Sequence, residues 1–150
     1  MPMISEKDAK LIREHLKKNL KDPVAIDHFT QGESPGTLPI HECQYCHETG
    51  ELLREVAGLS DRITLRTHDL LTEAAKAKEM GITRIPSFVL SGKAQGQVRF
   101  LGIPSGYEFS SLIEDLVDVA RGETDLAPKA VAELAGLKNR VHIQVFGTPT

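Results

Sequence analysis

The only two cysteines of this 150-residue chain, Cys43 and Cys46, stand three positions apart. A disulfide between them would close a tiny loop and restrict the unfolded chain very little, so stapling is a poor reason for the pair. At the start of a helix, residues i and i+3 lie on nearly the same face, where a disulfide can form and reopen with little backbone movement. The helix N-terminus adds unpaired N–H groups and the positive end of the dipole, both of which favour thiolate over thiol at the first sulfur. Cys43 is therefore the expected attacking sulfur. Cys46, one turn further in, is expected to resolve the mixed disulfide that Cys43 forms with a substrate. The intervening Gln44-Tyr45 lacks proline, and the flanking charges are mixed: His41 and His47 favour a thiolate, whereas Glu42, Glu48 and Glu51 oppose it.

A second feature with chemical meaning is Ile85-Pro86, directly before an apolar run beginning at Ser87. Proline cannot donate to a strand ladder and is ordinarily kept outside one. A cis bond here would turn the chain sharply and leave the Ile85 backbone free to pair with an extended peptide beside the thiols. Only about one X-Pro bond in twenty is cis, so the residue types alone leave the isomer open. Ile85, Pro86 and Tyr45 are the candidate substrate-binding residues.

These groups need a scaffold. Ser5 with Asp8 resembles a capping box, and Ala9, Ile12, Leu16 and Leu20 follow on one face of a helix ending at Asp22-Pro23. Val24 to Phe29 suits a strand, although Asp27 and His28 break its alternation. Thr30 to Glu42, punctuated by Gly32, Pro35, Gly36 and Pro39, is a loop. Cys43 to Ala57 reads as a helix capped by Gly58, and Ile63 to Thr67 alternates as a strand. Thr72 opens an Ala-rich helix stopped by Gly81. Ser87 to Leu90 and Gln97 to Gly102 predict an antiparallel hairpin, and Ser105 with Glu108 predicts a second capping box before the stripe Phe109, Leu112, Ile113, Leu116, Val117 and Ala120. Pro128 to Gly136 predicts a short helix, and Val141 to Phe146 alternates like a strand.

The composition fits one soluble globular domain: 40% hydrophobic and 26% charged, with a formal net charge of −3. That balance supplies no basic field for phosphates, so a nucleic-acid partner is not expected. No apolar stretch approaches membrane-spanning length, and Met1 to Leu20 lacks the apolar region of a signal peptide. The expected location is the cytoplasm. In that reducing compartment a lone C-x-x-C points to catalysis, redox sensing or metal binding.

Several stretches together resemble the glutaredoxin-like protein disulfide oxidoreductases of the thioredoxin superfamily, relatives also of the N-terminal domain of bacterial alkyl hydroperoxide reductase flavoproteins. They are Cys43-Gln44-Tyr45-Cys46, Thr67-His68-Asp69, Gly81 through Pro86, and Phe100 through Phe109. The resemblance implies an α/β, thioredoxin-like fold: a central mixed four-stranded sheet flanked by helices, with an extra N-terminal helix and an appended C-terminal helix and strand. It further implies a cis bond at Pro86 and thiol-disulfide exchange with protein substrates, with a thioredoxin-reductase-like protein or glutathione as electron donor and no bound cofactor or metal. Members of that family usually carry two such units in tandem. Residues 1–125 would form the first, and 126–150 a linker helix and the first strand of a second, making the chain a fragment or a natural truncation. The loop Thr30 to Glu42 is longer than usual. No carboxylate matches securely the buried aspartate that assists proton transfer in thioredoxin, Asp27 being the nearest.

Three other readings use the same residues. Cys43 through His47 also fits a c-type haem attachment signature, and His41, Cys43, Cys46 and His47 are acceptable zinc ligands by type, though compressed in spacing. A redox-inactive docking module is the third. His15, His28, His68 and His142 are scattered and read as ordinary surface or partly packed residues. An orphaned strand at Val141 to Phe146 would invite pairing with a second copy, predicting a homodimer.

Overall fold

The computed structural model describes residues 2–32 and 43–146. It begins with α1 (Glu6–Asn19), whose N-cap Ser5 accepts the Asp8 N–H at 3.1 Å while its hydroxyl donates to the Asp8 carboxylate at 2.6 Å. Acidic Glu6 and Asp8 in the first turn and basic Lys17 and Lys18 in the last complement the helix dipole. The chain then alternates: β1 (Val24–Thr30), α2 (Cys46–Ala57), β2 (Ile63–Asp69), α3 (Ala74–Glu79), β3 (Ser87–Ser91), β4 (Val98–Leu101), α4 (Tyr107–Arg121) and α5 (Pro128–Ala135).

The four strands form one mixed sheet in the order β2-β1-β3-β4, with β1 parallel to β2 and antiparallel to β3, and β3 antiparallel to β4. This is the expected thioredoxin-like arrangement. Register places Ile26 between Leu65 and Leu90, and Asp27 between Arg66 and Val89. Because side chains alternate across a strand, β1 sends Val24, Ile26 and His28 to one face and Asp27 and Phe29 to the other. The first face is the larger core: Leu16 of α1, Leu53 and Val56 of α2 and Leu112 and Leu116 of α4 bury Ile26, Phe88 and Leu90. The second is smaller, with Ala77 of α3 and Ile82 against Phe29 and Val89. Phe88 stacks on Phe100 across the hairpin, ring centres 4.8 Å apart, and each of these buried side chains contributes roughly 1.5–3 kcal/mol.

Several boundaries depart from the sequence reading. Helix α2 starts at Cys46, with Cys43 to Tyr45 forming the turn before it, the Cys46 N–H reaching the Cys43 carbonyl at 3.3 Å. The Ser105 capping box is absent, because Gly106 at φ +60° turns the chain and only the Ser105 carbonyl accepts the Glu108 N–H. Gly58 stops α2 in a right-handed conformation, whereas Gly81, at φ +68°, takes the left-handed one and brings the Ile82 N–H to the Ala77 carbonyl. Helix α5 has no buried residue. Residues 141–146, expected as a strand, join no sheet among the described residues, and Ile143, Val145 and Phe146 are 80–90% exposed.

Candidate functional site around the dithiol

Strand β1 ends at Thr30, and residues 33–42, which include His41, Glu42 and most of the expected long loop, lie outside the described residues. The chain re-enters at Cys43, half-buried, while Cys46 is 7% exposed at the first position of α2. The two are joined as a disulfide with their Cα atoms 5.4 Å apart. The side chain of Tyr45, the N-cap, makes no capping bond, so no side-chain oxygen caps the first turn of α2. Behind them the turn is tied down by Thr49, wholly buried, whose hydroxyl donates to the Tyr45 carbonyl at 2.6 Å and whose N–H reaches the same oxygen at 3.0 Å. His47 points outward, 3.3 Å from Glu51, a pairing that offsets some of the positive charge it could lend the sulfurs.

The Ile85–Pro86 peptide is cis. Pro86 immediately precedes Ser87, which pairs with Phe29 near the end of β1, so topology puts this peptide at the edge of the sheet from which the chain departs toward Cys43. The Pro86 carbonyl accepts the Gly102 N–H at 2.8 Å, whereas the Ile85 backbone has no hydrogen-bond partner among the described residues. Tyr45 is 47% exposed between the two sulfurs.

Asp27 does not sit behind the disulfide. It points to the α3 face, wholly buried, and is consumed by ion pairs there. Arg66 grips it with two prongs, Nε to Oδ1 at 2.8 Å and Nη2 to Oδ2 at 2.5 Å, and His68 Nε2 lies 2.8 Å from Oδ1. The other His68 nitrogen, Nδ1, lies 2.7 Å from Glu73. Burial alone would push the Asp27 carboxyl up, but the hydrogen bonds and charges of Arg66 and His68 together bring it below the usual carboxylate value. Asp69, at the end of β2, accepts the N–H groups of Leu71 and Thr72 at 2.9 and 2.8 Å and that of Gly32, tying the chain just beyond β1 to the end of β2.

Two histidines read as ordinary are not. His68 is buried within the Asp27 network, and His28 is 1% exposed on the opposite face, with neither ring nitrogen hydrogen-bonded among the described residues. Burial, then the neighbouring charges of Arg54 and His68, lower the His28 imidazole to about 4. The broken alternation at Asp27 and His28 was the only trace of this in the sequence: a central strand covered on both faces buries consecutive residues.

Known proteins resemble this chain in both sequence and shape. It is 30% identical over 96 residues to the alkyl hydroperoxide reductase AhpF of Pseudomonas aeruginosa, a match that covers 63% of this chain and 16% of that protein. Among solved structures, AhpF from Enterococcus faecalis superposes with a TM-score of 0.72 at 26% identity, covering 89% of this chain and 61% of that one. A protein disulfide oxidoreductase from Aeropyrum pernix superposes at 0.73 with 24% identity, covering 91% of this chain and 56% of that one, and shows the shared fold. No protein-family model matches. The chain thus spans about a sixth of the curated relative and rather more than half of the solved ones. With a disulfide-bonded C-x-x-C at the head of α2, the chain has a thioredoxin-like fold and is similar to part of the alkyl hydroperoxide reductase AhpF.

Proposed function

We propose that the chain is a protein dithiol-disulfide oxidoreductase whose reactive groups are Cys43 and Cys46. One observation carries the reading: the two sulfurs form a disulfide at an uncapped helix N-terminus, the first half-buried and the second buried behind it. In the reducing direction, the Cys43 thiolate attacks one sulfur of a substrate disulfide, and the other leaves as a thiolate. Cys46 then gives up its proton and attacks Cys43, forming the observed bond and releasing the second substrate thiolate. The substrate gains two electrons and the protein loses two.

The Ile85 backbone, unpaired among the described residues and positioned by Pro86, would pair with an extended substrate segment while Tyr45 packs against it. The oxidised pair is re-reduced by a thioredoxin-reductase-like protein or by glutathione, in the cytoplasm. Residues 1–125 form the reacting unit and 126–150 an appended segment. Reduction of insulin by dithiothreitol tests the reading. Wild type accelerates it, Cys43→Ser abolishes the acceleration, and Cys46→Ser accumulates a mixed disulfide. Equal rates for all three would reject it.

A further inference from the structure

His28 and Gly50 are each an unfavourable choice on grounds of stability. An imidazole buried with no hydrogen-bond partner among the described residues loses its hydration without compensation from them. A glycine in the middle of a helix sacrifices backbone entropy and packs nothing. Here the two meet: a Cβ built on Gly50 would lie 3.4 Å from His28 Cε1. The space left at position 50 is shared by the ring and by the Arg54 guanidinium, whose Nη2 lies 3.5 Å from the same point.

Gly50 is four residues beyond Cys46 on the same helix. Residues i and i+4 lie one above the other, roughly 6 Å apart, and side-chain bonds tilt toward the N-terminus. The ring in the Gly50 niche is therefore placed about one helical turn from Cys46, and position 50 puts no side chain between them. Both residues are buried, Cys46 at 7% and His28 at 1% exposure. On the opposite face of the sheet Asp27 is already engaged by Arg66 and His68. Locally costly choices that coincide beside reactive groups point to function.

We propose that His28 is the general base for Cys46 in the resolving step. The proposal rests on the exchange reaction assigned above to Cys43 and Cys46. In that step the Cys46 S–H proton passes to an imidazole nitrogen, directly or through one water, and the Cys46 sulfur pair attacks Cys43. The Cys43–substrate S–S bond breaks, and the substrate thiolate leaves with the displaced electron pair. The imidazolium then returns its proton to the departing thiolate or to solvent, and no further oxidant or reductant is needed. Arg54 of α2 and His68 of β2 are the charged or titratable groups that act on it, and its register neighbours Thr67 and Phe88 carry no charge. Burial first, then these two charges, disfavour a standing proton on His28, so the ring is neutral when Cys46 must be deprotonated and holds the proton only while the sulfur attacks.

Reaction of the fully reduced protein with 5,5′-dithiobis(2-nitrobenzoate) separates the two steps. The first nitrothiobenzoate released reports attack by Cys43, and the second reports resolution by Cys46. With His28→Gln, the first phase should keep its rate within about twofold. The second should slow by at least about tenfold and rise with pH up to the ionisation of the thiol itself. His28→Phe fills the same apolar niche, and it should fold at least as stably as wild type while showing the same slow second phase. Two phases unchanged in both variants would overturn the role of His28 and leave the exchange reaction standing. Absence of a second phase in the wild type would instead sink the exchange reading itself.

Discussion

Arg66 stands directly opposite Asp27 in the parallel β1/β2 register, and from there its guanidinium closes on both carboxylate oxygens, at 2.8 and 2.5 Å. The carboxylate is wholly buried while the arginine side chain is half exposed. The pair thus lets a charge be carried inside the sheet by a partner that keeps one side in water. Removing the partner is more damaging than removing the pair, since a buried charge left behind loses hydration without compensation.

Arg66→Met should therefore destabilise the fold by about 2–3 kcal/mol, less than a fully orphaned charge because His68 still contacts Asp27. The double variant Asp27→Leu/Arg66→Met should recover most of that loss. Urea unfolding of the three proteins at pH 7 measures both quantities, and a single variant as stable as the wild type would show that the pair contributes nothing.

Acid should weaken the fold in two stages. The His28 ring takes a proton at its ordinary 6.5 in the unfolded chain but only near about 4 when folded. Between those values the unfolded chain binds more protons, so stability falls as pH falls from 6.5 toward 4 and that loss stops below it, at about 3 kcal/mol in all. Asp27 acts lower down: its depressed carboxyl contributes stability above 3.8 that disappears as pH drops through the folded value. His28→Phe should flatten the first stage and spare the second. Urea midpoints taken at half-unit steps from pH 7.5 to 3 would reveal it, and an unaltered slope between 6.5 and 4 in the variant would refute the assignment.

The C-terminal segment should be dispensable to the body of the fold. Helix α5 buries nothing, and Leu134, Leu137, Val141 and Ile143 are all more than half exposed. A chain ending at residue 125 should melt within about 1–2 °C of the full chain at low concentration. If those apolar side chains pair copies of the chain, the full protein sediments as a dimer at tens of micromolar and the shortened one as a monomer. Identical masses would remove the segment from any self-association.

Much of this architecture was written locally. The 3.6-residue stripes of α1 and α4, the Ser5 cap, the Gly81 stop and the hairpin of β3 and β4 follow from side-chain period and turn chemistry, and each element appeared close to its expected place. The dithiol was equally legible, because C-x-x-C depends on spacing alone. What failed depended on the third dimension. Ser105 looked like a cap until the positive φ of Gly106 set the chain on another path. Cys43 fell outside α2 because backbone bonds, not side-chain period, decide where a first turn closes. Asp27 and His28 were indistinguishable as neighbours, yet the pleat sends one to an ion pair and the other beneath a helix.

That division of β1 also guards against misassembly. Were the strand to slide by a single position, the carboxylate would leave Arg66 and His68 for the niche beneath α2, and the imidazole would face the guanidinium of Arg66. A chain threaded one step out of line would give up the two-pronged Arg66 contact and set an imidazole against a guanidinium, so the aligned register is favoured. Two adjacent ionisable residues thereby act as an alignment key for the whole sheet.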